Sequence, residues 1–209
     1  MLHFSYTFDF VPELVKWVNR FISNEKVFDA LRFKVESDEK VIKGTSFVPK
    51  QQRLDLDDLI NYEFKKLNIP PLQFLHVFIW PPFSGGFYKG HFRDIHHDLY
   101  PHLKIQKQAA YNVPIIGFND DCFFEWYTGK IKTEKVLQQG QQDRNGVTFE
   151  WEDGPYLVDE IVQTKPYFVA INRPHRIRTG KDTRVMASLR FEKEMSVDDY
   201  YQKLIRTPK

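Results

Sequence analysis

Between residues 184 and 191 two kinds of side chain alternate without a break. Val185, Ala187, Leu189 and Phe191 are apolar, and Arg184, Met186, Ser188 and Arg190 fall between them. A period of two belongs to a β-strand, whose successive side chains leave opposite faces. One face is ordinary core; the other carries two arginines and a hydroxyl. Just upstream, Asn172 to Arg178 is another short extended run, and Thr179-Gly180-Lys181-Asp182 suits a type II′ turn with glycine in the first central position. If Thr179 pairs with Asp182, antiparallel pairing sets His175 opposite Met186 and Ile177 opposite Arg184. The expectation is a hairpin on which His175, Ile177, Arg184, Met186 and Ser188 share one face. A basic, solvated face is the default for such a hairpin, so a functional reading needs a partner elsewhere in the chain.

That partner is Ile95-His96-His97-Asp98. On an extended backbone His96 and Asp98 project to one side and His97 to the other. An imidazole and a carboxylate two residues apart can fill two adjacent corners of one metal ion. His175, from a distant strand, completes a set of two histidines and one carboxylate. This is the facial arrangement of non-haem Fe(II) oxygenases, which leaves positions open for substrate and oxygen. His-x-Asp alone is a weak pattern, since the chain has seven His and 28 acidic residues.

The remaining chain predicts what frames this set. Phe10, Val11, Leu14, Val18, Phe21 and Ile22 recur at helical spacing over residues 10–23, with Pro12 in the first turn. Short strands are expected at 31–36 and 40–48. A second helix is expected at about 55–67, with Leu56, Leu59, Ile60, Phe64 and Leu67 inward and Pro70-Pro71 beyond its end. From Leu72 the character changes to short strands: 72–80, 110–116, 122–127, 157–163 and 167–172. His76, within the first of them, lacks a spaced carboxylate and reads as a core histidine. The Pro- and Gly-rich segment 81–90 reads as a rim or lid. Residues 129–154 are polar and read as an elaborated hairpin or a solvated loop. Ser196-Val197-Asp198-Asp199 is a capping box with Asp for the usual Glu, opening a short terminal helix. Two helices followed by many short strands predict an antiparallel β-sandwich or barrel with helical support.

At 209 residues the chain suits one domain with a full core. Thirty Lys and Arg against 28 Asp and Glu leave a net charge of +2, without the basic excess of a dedicated nucleic-acid binder, although a nucleic acid as substrate is not excluded. A lone Cys122 offers no disulfide framework and predicts a reducing, cytoplasmic compartment. Residues 1–9 hold no basic region leading into an apolar stretch, so no secretory signal is expected, and no apolar run approaches membrane length.

His96-x-Asp98, then Ala109-Ala110-Tyr111-Asn112-Val113-Pro114-Ile115, then Phe123-Phe124-Glu125-Trp126-Tyr127, then Pro174-His175 and Arg184 follow in order. Over about residues 72–192 this resembles the Fe(II)/2-oxoglutarate-dependent oxygenase superfamily. It is most similar to small phage proteins resembling aspartyl/asparaginyl β-hydroxylases and prolyl hydroxylases. It departs from many relatives in having Leu99-Tyr100-Pro101, without an early glycine, after Asp98. The resemblance implies a mainly β double-stranded β-helix, a cupin-like jelly roll, over 72–192. A helical support region at 1–71 and a C-terminal helix at 193–209 would complete a single oxygenase-like domain. It implies a hydroxylase using Fe(II), 2-oxoglutarate and O2, with His96, Asp98 and His175 as metal ligands and a host cytoplasm as its location. An Arg about ten residues after the distal histidine binds the far carboxylate of 2-oxoglutarate in the family; here Arg184 follows His175 by nine. Arg190 shares its parity and is the alternative. Asn112 is either a further contact to 2-oxoglutarate or a strand residue satisfying its neighbours. Tyr88, Arg93, Trp126 and Tyr127 stand as substrate-rim candidates against a reading as packing or surface. A polypeptide side chain, or another polymer, is the expected substrate, entering between segments 81–93 and 129–154. A metal-free jelly-roll binding protein and a cupin-type metalloenzyme that does not use 2-oxoglutarate are the alternatives from other classes.

Overall fold

Two antiparallel sheets stack face to face, and helices cover the far side of one of them. The computed structural model describes residues 1–23, 44–48, 50–80, 95–99, 108–138, 145–178 and 182–206. The strands among these, in chain order, are β1 (His3–Ser5), β2 (Gly44–Phe47), β3 (Leu72–Trp80), β4 (His96–Leu99) and β5 (Ala109–Ile116). They continue with β6 (Phe123–Gln138), β7 (Asn145–Val162), β8 (Tyr167–Ala170), β9 (His175–Arg178) and β10 (Arg184–Phe191). The α-helices are α1 (Val11–Ile22), α2 (Leu54–Lys66) and α3 (Val197–Arg206). Among the described residues no helix is long and apolar enough to cross a membrane.

The larger sheet runs β1-β8-β5-β10-β3-β2. The smaller runs β4-β7-β6-β9 and closes on itself through the single pair His96↔His175. From β3 to β10 the chain alternates between the two: β3, β5, β8 and β10 lie in the larger sheet, and β4, the β6–β7 pair and β9 in the smaller. The region before Leu72 does more than supply helices, since β1 and β2 form the two outer strands of the larger sheet.

The strand parity read at β10 decides the layers. Val185, Ala187, Leu189 and Phe191 join Leu75, Val77, Ile79, Tyr111 and Val113 in the core beneath the helices. There α1 contributes Leu14 and Val18, α2 Leu56, Ile60 and Phe64, and α3 Val197, Tyr200 and Leu204. Aromatic rings knit the layer together, among them Phe64 with Phe191 at 5.4 Å and Phe168 with Tyr200 at 4.7 Å. Leu59, expected inward, is 36% exposed at the edge of the α2 stripe. Ser196 caps α3 reciprocally: Asp199 N–H donates to Ser196 Oγ at 3.1 Å, and Ser196 N–H donates to Asp199 Oδ2 at 3.0 Å. The other face of the larger sheet meets the smaller through Ala110, Val169, Phe124, Trp126 and Ile161.

One expectation is corrected. The hairpin of β9 with β10 does not form. In the larger sheet β10 already has both edges occupied, Ala187 pairing with Val77 on one side and Val113 on the other. Instead β9 pairs with β4 and β6, so His175 faces His96 and Trp126 rather than Met186, and Ile177 faces Phe124 rather than Arg184. Of the two readings of 129–154, the structure takes the elaborated hairpin rather than the loop. Strands β6 and β7 continue through it, from Lys130↔Asp153 to Gln138↔Asn145. Much of this ribbon is exposed on both faces, so it lacks the alternation that marks a half-buried strand. The strand expected at 31–36, the rim at 81–90 and the turn residues 179–181 lie outside the described residues, as do residues 40–43 of the strand expected at 40–48.

Candidate metal centre

Strand alternation sends the side chains of His96 and Asp98 to one face of β4 and His97 to the other. There His97 meets Phe149 edge-on, with ring centroids 5.4 Å apart. The His96↔His175 pairing brings the two imidazoles to a centroid separation of 4.6 Å. His96 Nε2 lies 3.7 Å from Asp98 Oδ1. One potential ligand atom from each of His96, Asp98 and His175 lies within 4.8 Å of the others. The three expected ligands thus form one group able to hold a metal ion.

The surroundings prepare two of the three ligands. His175 is 3% exposed, with Phe124 stacked on its ring at 4.9 Å. Its Nδ1 lies 2.8 Å from the Arg173 carbonyl oxygen. A carbonyl only accepts, so this bond assigns the proton to Nδ1 and leaves the Nε2 lone pair for a metal. Burial, followed by the neighbouring His96, pushes the His175 imidazole down to about 3, so it is neutral, the form that ligates. Burial works against the charge of Asp98, but Arg190 and the two imidazoles outweigh it and hold the carboxyl below the usual carboxylate range. Arg190 donates from Nη2 to Asp98 Oδ2 at 2.8 Å. That occupies one carboxylate oxygen and leaves Oδ1 on the side of His96. A donor set of two imidazoles and one carboxylate, with outer hydrogen-bond partners in place for His175 and Asp98, fits a first-row divalent metal with further positions open.

The inner face of β10 carries the rest. Arg190 also donates to the Ser188 hydroxyl, which donates to Asn112 Oδ1. Asn112 is therefore tied to the arginine that holds Asp98. Arg184, expected diagonal to His175 on a hairpin, instead projects from the opposing sheet. It is fully buried, donates to Gln163 Oε1, lies 3.3 Å from Met186 Sδ and stands over the Phe118 ring at 4.6 Å. Burial pulls its guanidinium down to about 9, still charged at neutral pH. Of the two arginines, Arg190 is the one bonded to the metal-ligand set.

The rim candidates fare differently. Trp126 is fully buried, donates from Nε1 to the Ala170 carbonyl at 2.8 Å and stacks on His3. Tyr127 is 7% exposed and donates to Glu125. Both are packing rather than a solvent-facing rim. Tyr88 and Arg93 lie outside the described residues. His76 is buried in β3 beside Phe74 and Phe78 and is not one of the converging ligands. Sequence reasoning missed Gln163. It follows the apolar end of β7, and no local pattern marks it; only its position across from Arg184 does. Lys130 and Lys132 on β6 are neutralised across the β6–β7 ribbon, by Glu152 at 2.7 Å and Glu150 at 2.9 Å.

Compared with known proteins, the chain matches no family model and no curated protein sequence.

Proposed function

We propose that this protein is an Fe(II)- and 2-oxoglutarate-dependent oxygenase, a hydroxylase built on a double-stranded β-helix. The observation that carries the reading is the convergence of His96, Asp98 and His175, with Arg190 already on the outer oxygen of Asp98. The regular alternation of β3 to β10 between two facing sheets supports the jelly-roll architecture. Bound Fe(II) with 2-oxoglutarate and O2 supplies the oxidising chemistry. The chain holds and orients. His175 offers Nε2 because Nδ1 is committed to Arg173, and Asp98 offers Oδ1 because Oδ2 is committed to Arg190. Arg184 carries the buried positive charge that meets the far carboxylate of 2-oxoglutarate, a fork matched to a planar anion. Phe124 and Trp126 exclude water from the His175 side. The substrate is a polypeptide side chain or another polymer; the cross-strand neutralisation of Lys130 and Lys132 argues against a phosphate-tracking groove.

The test is metal analysis of the purified protein, then anaerobic titration of the Fe(II)-loaded form with 2-oxoglutarate, read by the visible charge-transfer band of the complex. One metal per chain and saturable development of the band are expected. Metal without a response to 2-oxoglutarate would move the protein to the cupin-type alternative. No metal uptake would leave a jelly-roll binding protein.

A further inference from the structure

Gln163 bridges the two sheets at the end of the inter-sheet space marked by Arg184. It directly follows β7 of the smaller sheet, is 2% exposed, and its backbone N–H donates to the Cys122 carbonyl at 3.0 Å. Its side chain crosses to the larger sheet and accepts from Arg184 Nη2. A guanidinium has donors only, so the amide atom facing it must be the oxygen. This assigns the orientation of the amide and directs Nε2 away from the bond. Nε2 is buried and has no hydrogen-bond acceptor among the described residues. A buried amide donor without an acceptor is costly, and native interiors rarely keep one. Arg184 also meets the Phe118 ring and the Met186 thioether, both soft and weakly polar. The missing acceptor must therefore come from elsewhere, and beside a buried guanidinium it is best supplied by an anion with two oxygens.

We infer that Gln163 is a specificity-determining residue for the cosubstrate: its Nε2 donates to the same far carboxylate that Arg184 binds, while its Oε1 holds Arg184 in place. This rests on the oxygenase reading above. Its consequence is selection among 2-oxo acids. A dicarboxylic acid such as 2-oxoglutarate satisfies both Gln163 and Arg184. A monocarboxylic one such as 2-oxobutyrate leaves the Gln163 donor buried without an acceptor, the situation in which polar sites discriminate most strongly.

The experiment uses full-length protein loaded anaerobically with Fe(II), comparing wild type with Gln163→Ala and Gln163→Glu. Metal content, thermal midpoint and dissociation constants for 2-oxoglutarate and 2-oxobutyrate are measured. Glu is nearly isosteric with Gln and still accepts from Arg184, so it preserves the bridge between the sheets, but it removes the amide donor and sets a negative charge against the ligand. Both variants are expected to keep their metal. Gln163→Ala should bind 2-oxoglutarate about 10- to 100-fold more weakly, with 2-oxobutyrate hardly changed, so the preference between the two shrinks. Gln163→Glu should lose 2-oxoglutarate binding by more than about 100-fold at a near wild-type thermal midpoint. If Gln163→Ala fails to fold, Gln163→Glu decides alone. A Gln163→Glu variant binding 2-oxoglutarate within about threefold of wild type would overturn the role of Gln163. Wild-type protein that holds Fe(II) yet ignores 2-oxoglutarate would instead remove the oxygenase reading beneath it.

Discussion

Two carboxylates on the smaller sheet lean on arginine and end up chemically opposite. Glu125 sits on β6 between Phe124 and Trp126, whose side chains take the inner face, so its own takes the outer. It is 3% exposed, and both its oxygens are filled: Oε1 accepts from Arg178 Nε at 2.9 Å, and Oε2 from Arg176 Nε and from the Tyr127 hydroxyl, each at 2.7 Å. The arginines are braced by rings, Arg178 over Phe123 at 3.9 Å and Arg176 near Tyr127 at 5.3 Å. Asp98, on the inner face of β4, has one oxygen filled by Arg190 and the other turned towards His96. Both carboxyls are held below the usual range although burial pushes each of them up. A buried, arginine-paired carboxylate is therefore not in itself a functional mark. What separates a ligand from a structural anchor is whether an oxygen is left over, and which side chains converge on it.

The largest effect that sharpens this contrast is expected from Asp98→Asn. The variant keeps the shape and the acceptor for Arg190 but loses the charge that a metal needs. Fe(II) or Zn(II) affinity, measured by calorimetry on metal-free protein, should fall by more than about 100-fold, beyond the cost of losing an outer hydrogen-bond partner. Retention of wild-type affinity would erase the distinction between the two carboxylates. Next comes Arg190→Leu, which leaves Asp98 in place without its support. Metal affinity should drop by about 10- to 100-fold, and unchanged affinity would reduce Arg190 to packing.

On the outer face the readout changes from metal to stability. Glu125→Ala should leave metal affinity as in wild type and cost about 1–3 kcal/mol in urea unfolding. This is below the penalty for breaking a fully buried pair, because the side chains of Arg176 and Arg178 are 27% and 45% exposed and can turn to water. A fall in metal affinity would mean that the two faces of the sheet are coupled. The pH dependence has a definite sign. With its folded pKa depressed, Glu125 contributes stability that is fully present above the ordinary glutamate value of 4.5 and is lost as pH falls through the folded value. Wild type minus Glu125→Gln should therefore narrow as the medium is acidified below about pH 4.5; a difference constant down to pH 2 would contradict the ionised anchor. The smallest effect belongs to Arg178→Ala, a half-exposed partner whose removal should cost only about 0.2–1 kcal/mol, since Arg176 and Tyr127 still cover Oε2.

Much of the frame was legible because it depends on local order. The helix stripe at 10–23, the capping pair Ser196 and Asp199, and the two faces of β10 all follow from periodicity within a few residues. His96 and Asp98 share a side, and His97 leaves it, for the same reason. Other features had no local signature. Trp126 and Tyr127 are equally aromatic whether at a rim or in a core. A β6–β7 ribbon exposed on both faces resembles a loop because nothing forces its residues to alternate.

By itself the sequence determined which residues β4 and β10 send to which face, and hence that Arg184, Ser188 and Arg190 would lie on one side, apart from the apolar core. It also carried a turn signal between Arg178 and Arg184, whose residues 179–181 lie outside the described residues. Only the tertiary structure decided what lies on either side of that turn. A turn signal specifies a change of direction, not a pairing partner, and β10 was already held on both edges by β3 and β5. So β9 went to the opposite sheet, His175 came to His96 instead of Met186, and Arg190 reached Asp98 from across the sheets. Strand partnership depends on which edges distant segments leave open, and that competition is won or lost across the whole chain, out of reach of any local pattern.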